Sequence, residues 1–172
     1  ATNVELVETG YHGEVVYGLA EFRHEAHQVR FAQEAARFRA RSERSRESLK
    51  QDLARLVGAG RTVAIWGGTG KAAAFINQNG LDAERFPLVV DSDPDKANTH
   101  VPGMGQLIRF RDALKQQPAN VILIATQWRA HDIALEISRE GIRCDQLLIE
   151  HDGRLVDYLA GTHPYEKPRL AA

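Results

Sequence analysis

The stretch Val63–Ala73, VAIWGGTGKAA, constrains this chain more than any other. Four apolar residues run into a glycine cluster and then into a helix-forming run, the order of strand, tight turn and helix. Counted from Gly68, the spacing Gly68-x-Gly70-x-x-Ala73 fits the dinucleotide fingerprint. There, glycines permit a sharp turn and let a phosphate approach backbone N–H groups at a helix N-terminus. A second apolar run, Phe86–Val90, closes on Asp91. It lies about 20 residues on, where such units place the carboxylate that accepts ribose hydroxyls. The same glycines could serve only to pack a strand against a helix, and both readings stay open. The turn is not a P-loop, because no Gly-Lys-Ser/Thr follows at the required spacing.

From Arg61 onward the pattern alternates. Thr62–Trp66 reads as the first strand, Lys71–Asn79 as a helix ended by Gly80, and Phe86–Asp91 as the second strand. The connection Ser92–Gln106, SDPDKANTHVPGMGQ, is long for a βα loop and rich in turn residues. Leu107-Ile108 gives a short third strand and Phe110–Gln116 a short helix. Asn120–Thr126, NVILIAT, is a continuous apolar run suited to a buried parallel strand. Ala130–Glu140 is the next helix, Gln146–Glu150 the fifth strand, and Arg154–Leu159 a short last helix. The expected fold class is α/β: an open, doubly wound, mainly parallel five-stranded sheet of Rossmann-like form.

Before that sheet, Val4–Phe22 reads as a hairpin turning through TGYHGE. Two strands alone are marginal in water, so the hairpin is expected to be the end of a preceding, absent domain. His12 beside Gly13 and Glu14 could be a catalytic histidine or a solvated loop residue. His24–Val57 contains no proline or glycine and reads as one long helix. Its polar middle, Arg37–Arg46, spreads five arginines around the cylinder and is expected to be solvated rather than to form a phosphate patch. His24 and His27 have no further ligands beside them for a metal. The division expected is 1–23 terminal hairpin, 24–57 linker helix, 58–160 sheet domain and 161–172 mobile tail.

Charge and composition narrow the partners. With 22 basic and 23 acidic residues the net charge is −1, so the basic footprint of a nucleic-acid binder is missing. Cys144 is the one cysteine among 172 residues, which excludes an intrachain disulfide and a cysteine cluster and suits a reducing cytoplasm. No apolar run approaches the roughly 20 residues of a membrane-spanning helix. The chain opens on Ala1, which fits methionine removal or a cut from something longer.

In an open parallel sheet a ligand is expected beyond the carboxyl ends of the strands. Four loops are expected there: Gly67–Lys71, Asp91–Lys96, Pro102–Gly105 and Thr126–Trp128. Gly67, Gly68, Thr69, Gly70 and Lys71 would hold a phosphate, with Asp91 on a ribose and Trp128 stacking on a base. Lys96, Pro102, Gly103 and Thr126 complete the candidate set. Against these roles stand plainer ones: Lys71 solvated, Asp91 capping the DPDK turn, Trp128 packing. No nucleophile elbow, carboxylate pair with histidine, or metal spacing is present, so no catalytic residue is assigned.

The glycine turn with its lysine, the turn Asp91-Ser92-Asp93-Pro94-Asp95-Lys96, the Pro102-Gly103 loop and the strand Val121–Trp128, in that order, carry a resemblance. The span Arg61–Leu159 resembles the C-terminal Rossmann-like domain of class I S-adenosylmethionine-dependent methyltransferases of the sugar C-methyltransferase type. Val4–Phe22 is similar to the last strand pair of that family's methyl-transfer domain, and His24–Val57 would match its linker helix. The family's zinc-module cysteines, its S-adenosylmethionine glycine motif and its Y-x-E-H segment are absent. WGGTGKA also departs from the family's usual G-A-x-x-K-G form, which puts a deoxysugar nucleotide in doubt as the substrate.

The resemblance implies a substrate-holding domain, plausible for a nucleotide or nucleotide-sugar, beside a neighbour that transfers the methyl group. It implies no cofactor in this chain, and S-adenosylmethionine for the absent preceding domain. Two other classes stay open: a stand-alone nucleotide- or NAD(P)-binding module, and an interaction domain docking through its Arg-rich helix. The methyl acceptor and the oligomeric state are not legible.

Overall fold

The computed structural model describes residues 3–10, 15–21 and 28–168. The candidate turn residues His12, Gly13 and Glu14, and His24 and His27, lie outside them. The chain divides into two units, Ala1–Glu43 and Arg44–Ala172, so the boundary falls inside a helix. That helix is α1, Gln28–Gly58. In the first unit β1 (Asn3–Gly10) and β2 (Val15–Glu21) pair antiparallel in a two-stranded sheet of their own, with a break in register between Leu6 and Glu8. The arginines at 37, 39, 41, 44 and 46 are exposed, as the polar middle of the helix requires.

The second unit contains β3 (Val63–Trp66), α2 (Gly70–Gln78), β4 (Leu88–Asp91) and β5 (Ile108–Phe110). After them come α3 (Ala113–Gln116), β6 (Val121–Ile124), α4 (Ala130–Arg139), β7 (Gln146–His151) and β8 (Arg154–Asp157). Short 3-10 turns at Pro94–Lys96 and Gln127–Arg129 follow β4 and β6. The strands lie in the order β5-β4-β3-β6-β7-β8, parallel throughout except for β8, which runs antiparallel to β7. The sheet is open and mixed.

The five strands expected from the sequence are therefore six. Residues 154–157, read as the start of a short helix, form the edge strand β8. The cause is the dipeptide Asp152-Gly153, both at positive φ (49° and 73°), which reverses the chain in two residues so that His151 pairs with Arg154. Asp-Gly between alternating residues is a strong two-residue hairpin signal, and it outweighs the helix propensity of Arg154–Leu159.

Every residue of β3, β4 and β6 is buried, because helices cover both faces of the sheet. Alternate side chains divide between two cores. Val63, Ile65, Val89, Val121 and Leu123 meet Ala72, Ala73 and Ile76 of α2, with Leu49 and Leu53 of α1 in the same core. Ala64, Trp66, Val90, Ile122 and Ile124 meet Leu114 of α3 and Ala130, Ile133, Ala134 and Ile137 of α4. Residues 161–168 turn back along the second core. Tyr165 packs against it, the Tyr158 hydroxyl donates to the carbonyl of Glu166, and His163 Nε2 lies 2.7 Å from the carbonyl of Tyr158. Among the described residues no helix is long and apolar enough to cross a membrane.

The second half of α1 is fastened to the β7–β8 hairpin. Asp52, 7% exposed, accepts from Arg154 Nε at 2.8 Å, Arg154 Nη2 at 3.2 Å and the Leu155 amide at 3.0 Å, and also pairs with Arg55. Two turns earlier the helix comes so close to the hairpin that a Cβ on Gly153 would stand 2.5 Å from Ser45 Cβ. Burial pushes the Asp52 carboxyl upward, but the bonds from Arg154 and Leu155 outweigh it and hold the group below its ordinary 3.8. A carboxyl held below its unfolded value stabilises the fold above that value, and the stabilisation is lost as pH falls through the folded one. Asp52→Asn should cost about 1–3 kcal/mol at neutral pH and flatten the loss of stability on acidification below about pH 4. Urea unfolding of both proteins across that range measures it, and parallel pH profiles would contradict the assignment.

Candidate functional site

The strand order changes direction between β3 and β6. From β3 the chain moves outward to β4 and β5, and from β6 outward the other way to β7 and β8. The loops leaving two adjacent strands therefore part at their carboxyl ends and leave a crevice, the usual place for a ligand in an open parallel sheet. On one side stand residues 67–71 with the start of α2, and on the other residues 126–129.

Lys71 and Trp128 meet across this gap, the ammonium 4.3 Å from the centre of the indole ring. Such a contact contributes about 0.5–1 kcal/mol where exposed, enough to favour one arrangement of the two loops but not to lock it. Thr69 precedes α2 without a side-chain cap on it, and no acidic residue stands in the helix's first turn. Neither the helix's own cap nor its first turn sets a negative group against the positive end of its dipole. Gly67 donates to the carbonyl of Val90 at 2.7 Å, which ties the turn to β4.

Gly68 has another duty as well. A Cβ built on it would lie 2.4 Å from Ile108 Cδ1, 2.5 Å from Ile108 Cγ1 and 3.3 Å from Val89 Cγ1. Ile108 is fully buried in β5, so the glycine is needed for packing whether or not a phosphate ever approaches it. Gly70, at φ +55°, has open space where its Cβ would be.

Asp91 ends β4 at 8% exposure and caps the turn that follows it. Its Oδ1 accepts from the Asp93 amide at 3.0 Å, and its Oδ2 faces Lys96 Nζ at 3.7 Å, with Asp93 on the same ammonium at 3.5 Å. Thr126, half-buried, accepts the Arg129 amide on its carbonyl at 2.9 Å. Residues 67–71, 91–96 and 126–128 thus leave the carboxyl ends of three neighbouring strands. Pro102 and Gly103 do not join them. Asn77, in the last turn of α2, donates to the Pro102 carbonyl at 2.7 Å, and a Cβ on Gly103 would lie 2.2 Å from Asn77 Oδ1. The loop has run back to the amino ends of the strands, because β5 is parallel to β4 and must start there.

Several residues that sequence reading passed over hold the crevice walls. Ser92 accepts from Trp66 Nε1 at 3.2 Å and donates to Glu136 Oε2 at 2.8 Å, tying the ends of β3 and β4 to α4. Arg111 Nε lies 3.0 Å from Glu136 Oε1, an ion pair without the alignment of a hydrogen bond, and its Nη2 donates to Glu140 at 3.1 Å. Hydrogen bonds from Lys115 and then Arg111 hold the Glu140 carboxyl below its usual range. Gln127, 6% exposed, donates to Glu150 Oε2 at 2.8 Å. The helical periodicity of α4 marks its apolar face but says nothing about which polar neighbour Glu136 meets, since its partners come from 44 and 25 residues away.

The thiol of this unit is not prepared as a nucleophile. Burial first, and then Asp145 and Asp157, push the Cys144 thiol up to about 11, so it stays protonated at neutral pH. Among the described residues no group of three or more His, Cys, Asp or Glu could hold a metal ion. The Gly68 contact gives the sharpest structural test. Gly68→Ala should destabilise the domain by about 1–3 kcal/mol through overpacking. In an Ile108→Ala background, which removes both clashing carbons, most of that cost should vanish. A double-mutant cycle read by denaturant unfolding checks it, and additive losses would show that Ile108 is not the obstacle.

The family of the C-methyltransferase C-terminal domain matches residues 13–145, from just before β2 to just before β7. No curated protein matches the chain. A match over well beyond half of its length, covering the hairpin's second strand, α1 and most of the sheet, assigns the protein: it belongs to the C-methyltransferase C-terminal domain family.

Proposed function

We propose that this domain holds the methyl acceptor of a C-methyltransferase by a nucleotide portion, in the crevice between the loops after β3 and β6. The single observation that carries this is the uncapped start of α2, reached through a glycine turn, with Lys71 beside it and Trp128 opposite. Read with β3 as its first strand, the order β5-β4-β3-β6-β7-β8 is that of a doubly wound Rossmann-like sheet, whose ligands sit at this reversal. Backbone amides and the helix dipole favour a pyrophosphate, Lys71 adds a mobile positive charge, and the indole face suits a base. Asp91 Oδ2, 3.7 Å from Lys96 Nζ, is the acceptor for a ribose hydroxyl.

The methyl donor and the transfer chemistry belong, in this reading, to a domain preceding the hairpin, with S-adenosylmethionine as its cofactor. The present chain positions. Among the described residues, carboxylates beside the crevice are held within the fold: Asp91 by its turn, Glu136 by Ser92 and Arg111, Glu150 by Gln127 and Gly153.

Without a neighbouring domain to close the crevice, a nucleoside diphosphate should bind with a Kd on the order of 1 mM, about 4 kcal/mol. NAD should bind more weakly, because residues 126–129 put bulk where its second half needs room. Amide shifts on titration should centre on 67–71 and 91–96. Asp91→Ala should weaken a ribonucleotide severalfold and a 2′,3′-dideoxynucleotide hardly at all. Tighter binding of NAD at the same loops would overturn the assignment in favour of a dinucleotide-binding module, and shifts absent from both loops would overturn the site.

A further inference from the structure

Lys71 covers the surface on which a base would stack. Its ammonium lies over the Trp128 ring, 4.3 Å from the centre. A base bound between residues 67–71 and 126–129 needs that indole face, and a phosphate bound there needs that ammonium. One side chain therefore stands in two of the contacts that a nucleotide would make.

The backbones on either side are anchored. Lys71 sits in the first turn of α2, followed by the buried Ala72 and Ala73. Trp128 sits in the turn Gln127–Arg129, between Gln127 at 6% exposure and the fully buried Ala130. Gln127 donates to Glu150 at 2.8 Å, and the Arg129 amide donates to the Thr126 carbonyl at 2.9 Å. What can move is the lysine. It is exposed, a point charge on a flexible four-carbon stem, whereas Trp128 is half-buried.

An ammonium–indole contact at an exposed site corresponds to a ratio of about two to five between covered and uncovered ring. That ratio is large enough to be felt and small enough to reverse. A ligand that needs the uncovered ring is weakened by the fraction of molecules that present it, here roughly three- to sixfold. A phosphate attracts the ammonium by charge and removes the handicap.

We propose that Lys71 is a specificity-determining residue through which the crevice selects nucleotides over nucleosides. On the indole, the ammonium screens the ring from a base that carries no phosphate. On a phosphate, it gives the ring up. Phosphate and base are then bound cooperatively, and by linkage each strengthens the other by the same factor. This selection presupposes the nucleotide crevice proposed above.

Adenosine and inorganic pyrophosphate, supplied separately to the full 15N-labelled chain, test it. The reporters are the Trp128 indole N–H and the amides of 67–71 and 126–129, with sodium chloride holding the ionic strength constant. Saturating pyrophosphate should strengthen adenosine binding by roughly three- to sixfold, and adenosine should strengthen pyrophosphate equally. Lys71→Gln, an exposed change, should move the two ligands in opposite directions. Adenosine should bind the variant alone as tightly as it binds the wild type with pyrophosphate, while pyrophosphate binds the variant more weakly. A lysine that only adds charge would weaken pyrophosphate on removal and leave adenosine untouched. Wild-type adenosine affinity that ignores pyrophosphate, or that the substitution fails to raise, would overturn the selection and leave the crevice standing. Adenosine that shifts neither set of signals under any of these conditions would overturn both.

Discussion

Burial of β3 on both faces is the constraint on which the rest of this domain depends. Val63, Ala64, Ile65 and Trp66 are 5%, 0%, 0% and 2% exposed, and four residues of strand can reach that state only with neighbours on both edges and helices above and below. β4 and β6 supply the edges, each pairing parallel to β3. A parallel crossover needs a helix, so α2 and α4 follow on opposite faces, as the two separate cores record. Because the chain must leave the ends of β3 and β6 toward different faces, the crevice is a product of the same burial. The candidate site was not added to the fold; it is where the fold has to part.

That origin changes the meaning of the glycine turn. A fingerprint glycine is ordinarily explained by the ligand it admits, yet here Ile108 of β5 fills the place of a Cβ on Gly68 at 2.4 Å. Packing alone would keep this residue a glycine. What packing does not account for is the uncapped helix start beside it and the lysine on the indole, and the nucleotide reading rests on those. The motif is a turn in full and a binding signal only in part.

The sequence disclosed the strand–turn–helix at 63–73, the buried runs at 88–91 and 121–124, and the solvated middle of α1, because each is a local pattern of apolar spacing. The hairpin's separateness from the main sheet was legible for a physical reason: no later strand needed a partner. Missed features depend on what is distant in the chain. The exception is β8, which depends on a two-residue turn whose Asp-Gly signal was present and overlooked in favour of helix propensity. The course of 97–107 could not be read, since nothing in PGMG indicates that Asn77 would hold Pro102 at the wrong end of the sheet for a crevice residue. Ser92, Glu136 and Arg111 form one network only once β4, β5 and α4 are in place.

The way charge is spent across the domain bears on the proposal that it holds a substrate rather than transforms it. A general acid or base needs a group whose proton is available to something other than the protein, poised near the operating pH. Here the half-buried and buried carboxylates around the strand ends serve as acceptors for turns, arginines or amides, and the thiol is pushed away from reactivity. Such groups stiffen walls. The start of α2 offers the crevice backbone amides and a dipole, which can bind an anion but cannot move a proton. In the proposed reading, such a domain would contribute to methyl transfer by fixing where the acceptor lies, since a reacting carbon fixed by a remote handle gains rate from orientation. The proposed division between holding and transferring would then be set at the level of which polar groups the fold consumes in holding itself together.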